Sequence, residues 1–232
     1  MVGNCSFSEL GLRGQVVLIT GAGRGLGRAY AEIISEAGAS VVVQDAGVDE
    51  EGENPNPACA VEVADALKAK GRSALAVFET LGDFRSCSEV VAVAHGWMGR
   101  LDGVIHNAGL VIWRDPTNVD ESLYRRMMGV ASQAAYGLCV AALPIMRAQG
   151  YGRLVLTSSG WALRPSEGSQ RLVLYAQAKT AQVGLAIALA RNAGHSEICT
   201  NVIVPVAKTR TYNGAFRLAV WNLKLWRAPL LG

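Results

Sequence analysis

Short apolar runs rich in β-branched residues alternate with longer stretches of helical periodicity along most of this chain. The predicted strands cover residues 16–20, 40–44, 74–78, 101–106, 153–157 and 200–204. The predicted helices between them cover residues 27–37, 58–70, 87–97, 121–147 and 174–191. Strands that are apolar on both faces and separated by helices are typical of a parallel sheet covered on both sides. The pattern predicts a doubly wound, three-layer α/β/α fold with ligands at the carboxyl ends of its strands.

A glycine-rich turn follows the first predicted strand and leads into the first predicted helix. It consists of Thr20, Gly21, Ala22, Gly23, Arg24, Gly25, Leu26 and Gly27. Glycines permit a tight turn and close approach of a pyrophosphate, and the helix that follows offers free N–H groups and the positive end of its dipole. The context of strand, turn and helix therefore predicts a Rossmann-type dinucleotide site.

The second predicted strand ends at Asp45, about 20 residues beyond the glycines, where a carboxylate can accept hydrogen bonds from the ribose of NAD. That carboxylate would repel the additional phosphate of NADP, although Arg24 is a basic residue that could meet it. We therefore expect NAD, with NADP the less favoured cofactor. Residues 47–57 follow as a Gly/Pro/Asn/acidic loop, which we interpret as a surface excursion without chemistry of its own.

Tyr175 and Lys179 are four residues apart in a predicted helix, so the phenol and the ammonium can share one face. A nearby cation stabilises a phenolate and lowers the pKa of a tyrosine toward the range that a general acid/base requires. The strand that ends before them carries Ser158 and Ser159 at its carboxyl end. Ser159 can bind a substrate carbonyl oxygen there, and spacing alone leaves Ser158 as its rival.

Composition narrows the class of protein. The 232 residues are half apolar with a net charge of only +3, so we expect no nucleic-acid partner. The five cysteines are dispersed, which indicates free thiols and no metal site rather than a disulfide framework. Without a secretory leader or an apolar run of about 18 residues, we expect a cytoplasmic protein that does not enter a membrane.

The ordered motifs resemble the short-chain dehydrogenase/reductase family. They are the turn from Thr20 to Gly27, the run His106-Asn107-Ala108-Gly109 after the fourth strand, the Ser158-Ser159 strand end and the Tyr175/Lys179 pair, and the likeness runs from about Leu10 to Thr211. Two segments resemble more narrowly the (R)-3-hydroxyacyl-CoA dehydrogenase part of peroxisomal multifunctional enzymes. They are residues 41–47 and 201–210.

The resemblance implies roles for individual residues. The acid/base would be Tyr175, and Lys179 would bind the nicotinamide ribose. Asn107 would support the fourth strand. The resemblance also implies that the cofactor lies beside Glu79, Thr80, Asn107, Ala108, Gly109 and Pro205. It further implies a homodimer or homotetramer formed through the long helices.

The chain departs from the family pattern in three places. Ala131 occupies the position where many members carry a catalytic Asn that helps to hold a water linking the lysine to solvent. The interval from Ser159 to Tyr175 is longer than usual, so we expect residues 161–171 to bulge outward. Residues 206–232 match no expected pattern, and we interpret them as a divergent lid or tail of a single 1–232 domain whose sheet lacks the usual last strand.

The leading hypothesis is an oxidoreductase that transfers hydride between NAD(H) and a small-molecule secondary alcohol or ketone. Tyr175 would take or give the hydroxyl proton while Ser159 holds the oxygen. The alternative is a non-catalytic or defective NAD-binding protein, which Ala131 and the unusual tail motivate.

Overall fold

The computed structural model describes residues 11–164, 169–194, 196–206 and 217–221. Within them, seven strands form one sheet in the order β3-β2-β1-β4-β5-β6-β7. The strands are β1 (Val16–Thr20), β2 (Ser40–Gln44), β3 (Ala74–Val77), β4 (Gly103–His106), β5 (Gly152–Thr157), β6 (Ile198–Val206) and β7 (Arg217–Trp221). The first six are parallel, so the predicted doubly wound α/β sheet is confirmed.

Helices cover both faces of the sheet. They are α1 (Gly25–Glu36), α2 (Ala58–Ala69), α3 (Phe84–Met98), α4 (Glu121–Met128), α5 (Ala134–Gln149), α6 (Gly160–Leu163) and α7 (Val173–Asn192). A 3₁₀ turn spans Pro116–Asn118, and a π-helical segment, Gly129–Gln133, joins α4 to α5. The long helix predicted over residues 121–147 is therefore interrupted at its centre.

The strand β1 shows how the apolar runs build two cores. All five of its residues are buried, and successive side chains point to opposite faces. Leu18 packs in the cluster that α3, α5 and α7 cover, whereas Ile19 packs in the cluster beneath α1 and α2. A strand buried on both faces has no polar positions to alternate, which explains its continuous apolar sequence.

The order of the strands fixes the position of the site. The chain winds outward from β1 to β3 and then returns to place β4 on the other side of β1. The helices that follow β1 and β4 therefore diverge, and they leave a crevice at the carboxyl ends of these two strands.

The tail adds a strand that the sequence analysis did not predict. The parallel part of the sheet ends at β6, and β7 then pairs with β6 in the antiparallel direction, with Val202 opposite Trp221 and Val206 opposite Arg217. The expectation of a missing last strand is corrected to that extent, because a tail without recognisable periodicity still covers the exposed edge of β6. The rest of residues 207–232 lies outside the described residues.

Two helical stretches, Glu121–Gln149 and Val173–Asn192, are long and apolar enough to cross a membrane by length and composition alone. Both pack on the sheet instead. Leu138 and Ala142 of α5 and Ala186 of α7 are completely buried in the core beneath them.

Candidate active site

A cleft of about 730 Å³ lies at the crevice between the carboxyl ends of β1 and β4. This volume is in the range of sites that hold small molecules and cofactors, roughly 300–1,000 Å³. One end of the cleft is lined by the glycine turn and Asp45, and the other by Ser159, Tyr175 and Lys179. The structure thus brings the predicted cofactor turn and the predicted acid/base pair into one cavity.

Close packing explains the glycines of the turn. Gly21 has a positive φ of +64°, and a Cβ atom there would lie 2.8 Å from the Cα atom of Ala108. A Cβ atom on Gly27 would collide with the carbonyl of Gly21. The helix α1 then begins at Gly25, and its N-cap residue Arg24 makes no side-chain cap. The first amides of α1 therefore stay available to an anion.

Asp45 braces the turn from the end of β2. Its Oδ2 atom accepts a hydrogen bond of 2.8 Å from the amide of Gly23, and its Oδ1 atom accepts one of 2.7 Å from the amide of Gly47. The guanidinium of Arg24 donates to the carbonyl of Val48 at 3.2 Å and contacts the Cys59 Sγ atom at 2.7 Å. Arg24 is therefore held toward the loop after β2.

That loop, residues 47–56, is the acidic strap of the cleft. The Asp49 carboxylate folds it by accepting the amides of Glu51 and Glu53 at 3.0 and 2.9 Å. Glu51 pairs with Arg114 at 3.0 Å, and Glu53 pairs with Arg126 at 3.1 Å. Arg114 lies in the chain after β4 and Arg126 in α4, and Arg126 also lines the cleft. The interpretation of this loop as a surface excursion is therefore too simple.

The two serines at the end of β5 have different partners. Ser158 donates to the carbonyl of Lys179 at 2.9 Å and fixes α7 to the strand. Ser159 is the N-cap of α6, accepts the amide of Trp161 at 3.3 Å and hydrogen-bonds Tyr175. This geometry favours Ser159 over Ser158 as the neighbour of a reacting oxygen.

Tyr175 and Lys179 are both buried, with 8% and 4% of their surfaces exposed. The Lys179 Nζ atom donates to the carbonyl of Thr157 at 2.9 Å. Burial raises the pKa of Tyr175, and its hydrogen bond with Ser159 opposes this rise. Burial also lowers the pKa of Lys179 to about 8. Burial is the larger effect, so the expected net lowering of the Tyr175 pKa by Lys179 is wrong for this structure, and only Ser159 acts to lower it.

The remaining predicted residues divide into two groups. Thr80, Asn107, Ala108, Gly109 and Pro205 line the cleft, as do Arg24, Gly25 and Leu26 of the turn. Thr20, Gly23, Gly27 and Glu79 lie behind its surface. Thr20 accepts the amides of Asn107 and Ala108 at 3.2 Å, and the carbonyl of Glu79 receives the side chain of Gln44 at 2.7 Å.

An aromatic wall that the sequence analysis did not assign lies beside the acid/base. The rings of Trp113 and Trp161 meet edge to face with centroids 5.5 Å apart, and those of Trp161 and Tyr175 meet likewise at 6.4 Å. The only signal in the sequence is the position of Trp161, two residues after Ser159. Across the described ranges, no cluster of three or more His, Cys, Asp or Glu could hold a metal ion.

Comparison with known proteins agrees with this geometry. The short chain dehydrogenase family matches residues 15–215. The chain belongs to the short-chain dehydrogenase family.

Its resemblance to peroxisomal multifunctional enzymes is confirmed as well. The peroxisomal multifunctional enzyme type 2 of Drosophila melanogaster is 33% identical over 217 residues, which cover 94% of this chain and 35% of that protein. The peroxisomal hydratase-dehydrogenase-epimerase of Saccharomyces cerevisiae is 34% identical over 90% of this chain and 22% of its own length.

The chain therefore spans 35% and 22% of the lengths of these two multifunctional relatives. Among solved structures, a carveol dehydrogenase from Mycobacterium avium in complex with NAD is 26% identical, with a TM-score of 0.76 over 84% of this chain and 71% of that one. A short chain dehydrogenase from Burkholderia cenocepacia in complex with NADP is also 26% identical, with a TM-score of 0.76 over 88% of this chain and 78% of that one. These family members support a nicotinamide cofactor.

Proposed function

We propose that this short-chain dehydrogenase transfers hydride reversibly between NAD(H) and a small-molecule secondary alcohol or ketone. The observation that carries the proposal is the convergence of Ser159, Tyr175 and Lys179 at one end of a cleft whose other end is the glycine turn. Names of relatives support the same class of reaction, since they include a carveol dehydrogenase and a hydroxynaphthalene reductase-like protein from Metarhizium acridum.

The residues around the cleft fit a dinucleotide. The uncapped amides of α1 and the Cβ-free wall at Gly21 suit a pyrophosphate. Gln44 Oε1 and Thr157 Oγ1 are buried in residues that line the cleft, and neither has a hydrogen-bond partner among the described residues. Buried polar atoms normally have partners, so a polar ligand would satisfy them. Gly21, Gly25, Asn107 and Lys179 would hold the cofactor.

In alcohol oxidation, Tyr175 takes the hydroxyl proton of the substrate and returns it in ketone reduction. Ser159 donates to the same oxygen and fixes its distance from the phenol. Below a pH of about 8, Lys179 is an ammonium group that can donate to the nicotinamide ribose. The nicotinamide ring, when bound, accepts or gives the hydride.

We propose NAD rather than NADP as the cofactor. The Asp45 carboxylate lies at the end of β2, and Asp49 of the strap lines the same cleft, whereas Glu51 and Glu53 are paired with arginines. A ribose 2′-phosphate would meet the charges of Asp45 and Asp49, and like charges brought together cost several kcal/mol. Arg24, the basic residue that could compensate, donates to Val48 in the strap.

The test is a fluorescence titration with NADH and NADPH, followed by turnover with 1-phenylethanol, carveol and a 3-hydroxybutyryl thioester. We expect tighter binding of NADH, and Asp45→Ser should shift the preference toward NADPH by roughly 10-fold or more. Binding without turnover of any secondary alcohol or ketone would support the non-catalytic alternative. Equal preference in wild type and Asp45→Ser would contradict the assignment of Asp45.

We also propose a homodimer or homotetramer formed through the long helices. Tyr136 and Val140 on α5 and Val173 and Ile187 on α7 are apolar and exposed. Burial of such side chains between copies of the chain would be favourable. Light scattering of the purified protein tests this proposal, and a monomer at micromolar concentration would contradict it.

Two further predictions stay open to experiment. The 1–232 chain is proposed as a single domain in which residues 206–232, which include β7, are a divergent lid or tail. The cytoplasmic location stays a prediction, and the multifunctional relatives carry peroxisomal names. Fluorescence microscopy of the full chain against a peroxisomal marker separates the two compartments.

A further inference from the structure

The π-helical segment Gly129–Gln133 lies directly beside the catalytic helix α7. The amide of Ala134 donates to the carbonyl of Gly129, five residues back, so the regular pattern of the long helix is broken there. Ala131, at the position where many members of the family carry Asn, is the middle residue of this segment. Its methyl side chain cannot form hydrogen bonds, so the polar contacts of this residue are those of its backbone.

Two buried side chains reach that carbonyl. Gln182 donates to it from Nε2 at 2.8 Å, and the Nε2 atom of His106 lies 3.3 Å away. Both side chains are completely buried. Gln182 Oε1 has no partner among the described residues, so the bond to Ala131 is the interaction that accounts for an amide at this place. Gln182 is also three residues beyond Lys179 and thus on the same side of α7.

The donor and acceptor roles around His106 follow from its other neighbour. Thr20 Oγ1 accepts the amides of Asn107 and Ala108, so its own hydrogen is directed to His106 Nδ1, 3.0 Å away. The hydrogen of the neutral ring is then on Nε2, which donates to Ala131. Burial, together with the charge of Lys179, lowers the pKa of His106 to about 3 and keeps the ring neutral.

We propose that Gln182 and His106 are positioning residues that clamp the Ala131 carbonyl and thereby hold the acid/base helix in register with the cofactor turn. The hydrogen bonds form one continuous path from α7 through Ala131, His106 and Thr20 to the backbone of Asn107 and Ala108. This path connects α7 to the cofactor turn, a connection to which the methyl side chain of Ala131 cannot contribute. Its effect on catalysis rests on the proposed function.

Loss of the hydrogen bond from Gln182 to Ala131 should lower the rate of turnover more than the affinity for NAD. A buried carbonyl that loses its donor can shift with its segment, and a displacement of about 1 Å at an active site can lower a rate by roughly 100-fold. Gln182→Met keeps the length of the side chain and removes the donor. We expect kcat to fall by roughly 10- to 100-fold while KM for NAD stays within about twofold.

The matched control is Gln149→Met. Gln149 also donates to backbone carbonyls, those of Leu101 at 2.8 Å and Tyr151 at 2.9 Å, but at the amino ends of the strands. Turnover is measured with NAD and 1-phenylethanol, with and without deuterium at its carbinol carbon. A primary isotope effect that rises in Gln182→Met but not in Gln149→Met supports misalignment of the hydride-transfer step. A kcat within twofold of wild type, or the same loss in both variants, overturns the proposal.

A second readout does not depend on turnover. Hydrogen exchange of the peptide that spans residues 104–110 is measured with NADH bound. Exchange should become several-fold faster in Gln182→Met and stay unchanged in Gln149→Met, because only the first variant loosens the path to β4. Unchanged exchange in both variants overturns the clamp, whereas faster exchange without turnover in wild type rejects only the proposed function.

His106 provides an independent pair of variants, which decides the matter if Gln182→Met does not fold. The amide of His106→Gln can still reach Ala131, whereas the shorter side chain of His106→Asn reaches only Thr20. The proposal expects His106→Gln to recover most of the kcat that His106→Asn loses. Equal activity of these two variants would contradict it.

Discussion

Buried polar groups are arranged differently at the amino ends and at the carboxyl ends of the parallel strands. At the amino ends of the central strands, the Asp102 carboxylate is 1% exposed and receives the amide of Val16 at 2.8 Å and the guanidinium of Arg100 at 2.8 and 2.6 Å. At the carboxyl ends, Lys179 is 4% exposed and donates to one backbone carbonyl, that of Thr157. The paired group stabilises the fold, whereas the sparsely paired group is left for chemistry.

The largest effect is expected from Tyr175→Phe, at the carboxyl ends of the strands. The ring keeps its packing against Trp161, but the proton donor and acceptor is lost. Removal of a general acid/base lowers turnover by about 10²- to 10⁴-fold. We expect kcat to fall in this range while the dissociation constant of NADH, measured by fluorescence, changes less than twofold. Equal losses in binding and turnover would contradict the role of Tyr175.

The second prediction concerns Asp102→Ala, at the amino ends of the strands. It leaves the buried amide of Val16 without its partner, while Arg100, about half exposed, returns to water. We expect the free energy of unfolding to fall by about 2–4 kcal/mol in urea titrations, with activity per folded molecule unchanged. Asp65→Ala, which removes an exposed pair with Lys68, is the control and should cost at most about 1 kcal/mol. A loss of turnover in folded Asp102→Ala would contradict the conclusion that Asp102 serves stability rather than catalysis.

The stability of the protein should depend on pH through Lys179. Burial lowers the pKa of Lys179 from 10.5 to about 8, so between these values the unfolded chain binds the proton that the folded chain has released. Stability from this group therefore rises with pH across that window, and at pH 7 the buried ammonium opposes folding by an amount on the order of 3 kcal/mol.

Lys179→Met removes this charge. We expect it to raise the free energy of unfolding by about 1–3 kcal/mol at pH 7 and to lose the advantage above a pH of about 10, because it also gives up the bond to Thr157. Urea denaturation of both proteins at pH 7 and pH 10 makes the measurement. A variant that is less stable than wild type at pH 7 would show that the lysine stabilises the fold.

The order of the elements, the glycine turn and the spacing of Tyr175 and Lys179 could all be predicted from the amino-acid sequence. Each of these depends on residues that are close together in the chain. A buried strand is a continuous apolar run, a turn beside a phosphate requires glycines, and residues four apart share a helix face. The crossover rule for parallel strands then placed the cleft at the carboxyl edge without knowledge of any contact.

Contacts between residues far apart in the sequence became visible only in the folded structure. The strap meets Arg114 and Arg126 across 63 and 73 positions of sequence, and Gln182 finds Ala131 across 51. The direction of β7 and the π-helical segment were likewise settled by packing rather than by periodicity. Local patterns carry no signal of such pairs, because a buried polar residue is stabilised by whichever group the assembled fold places opposite it.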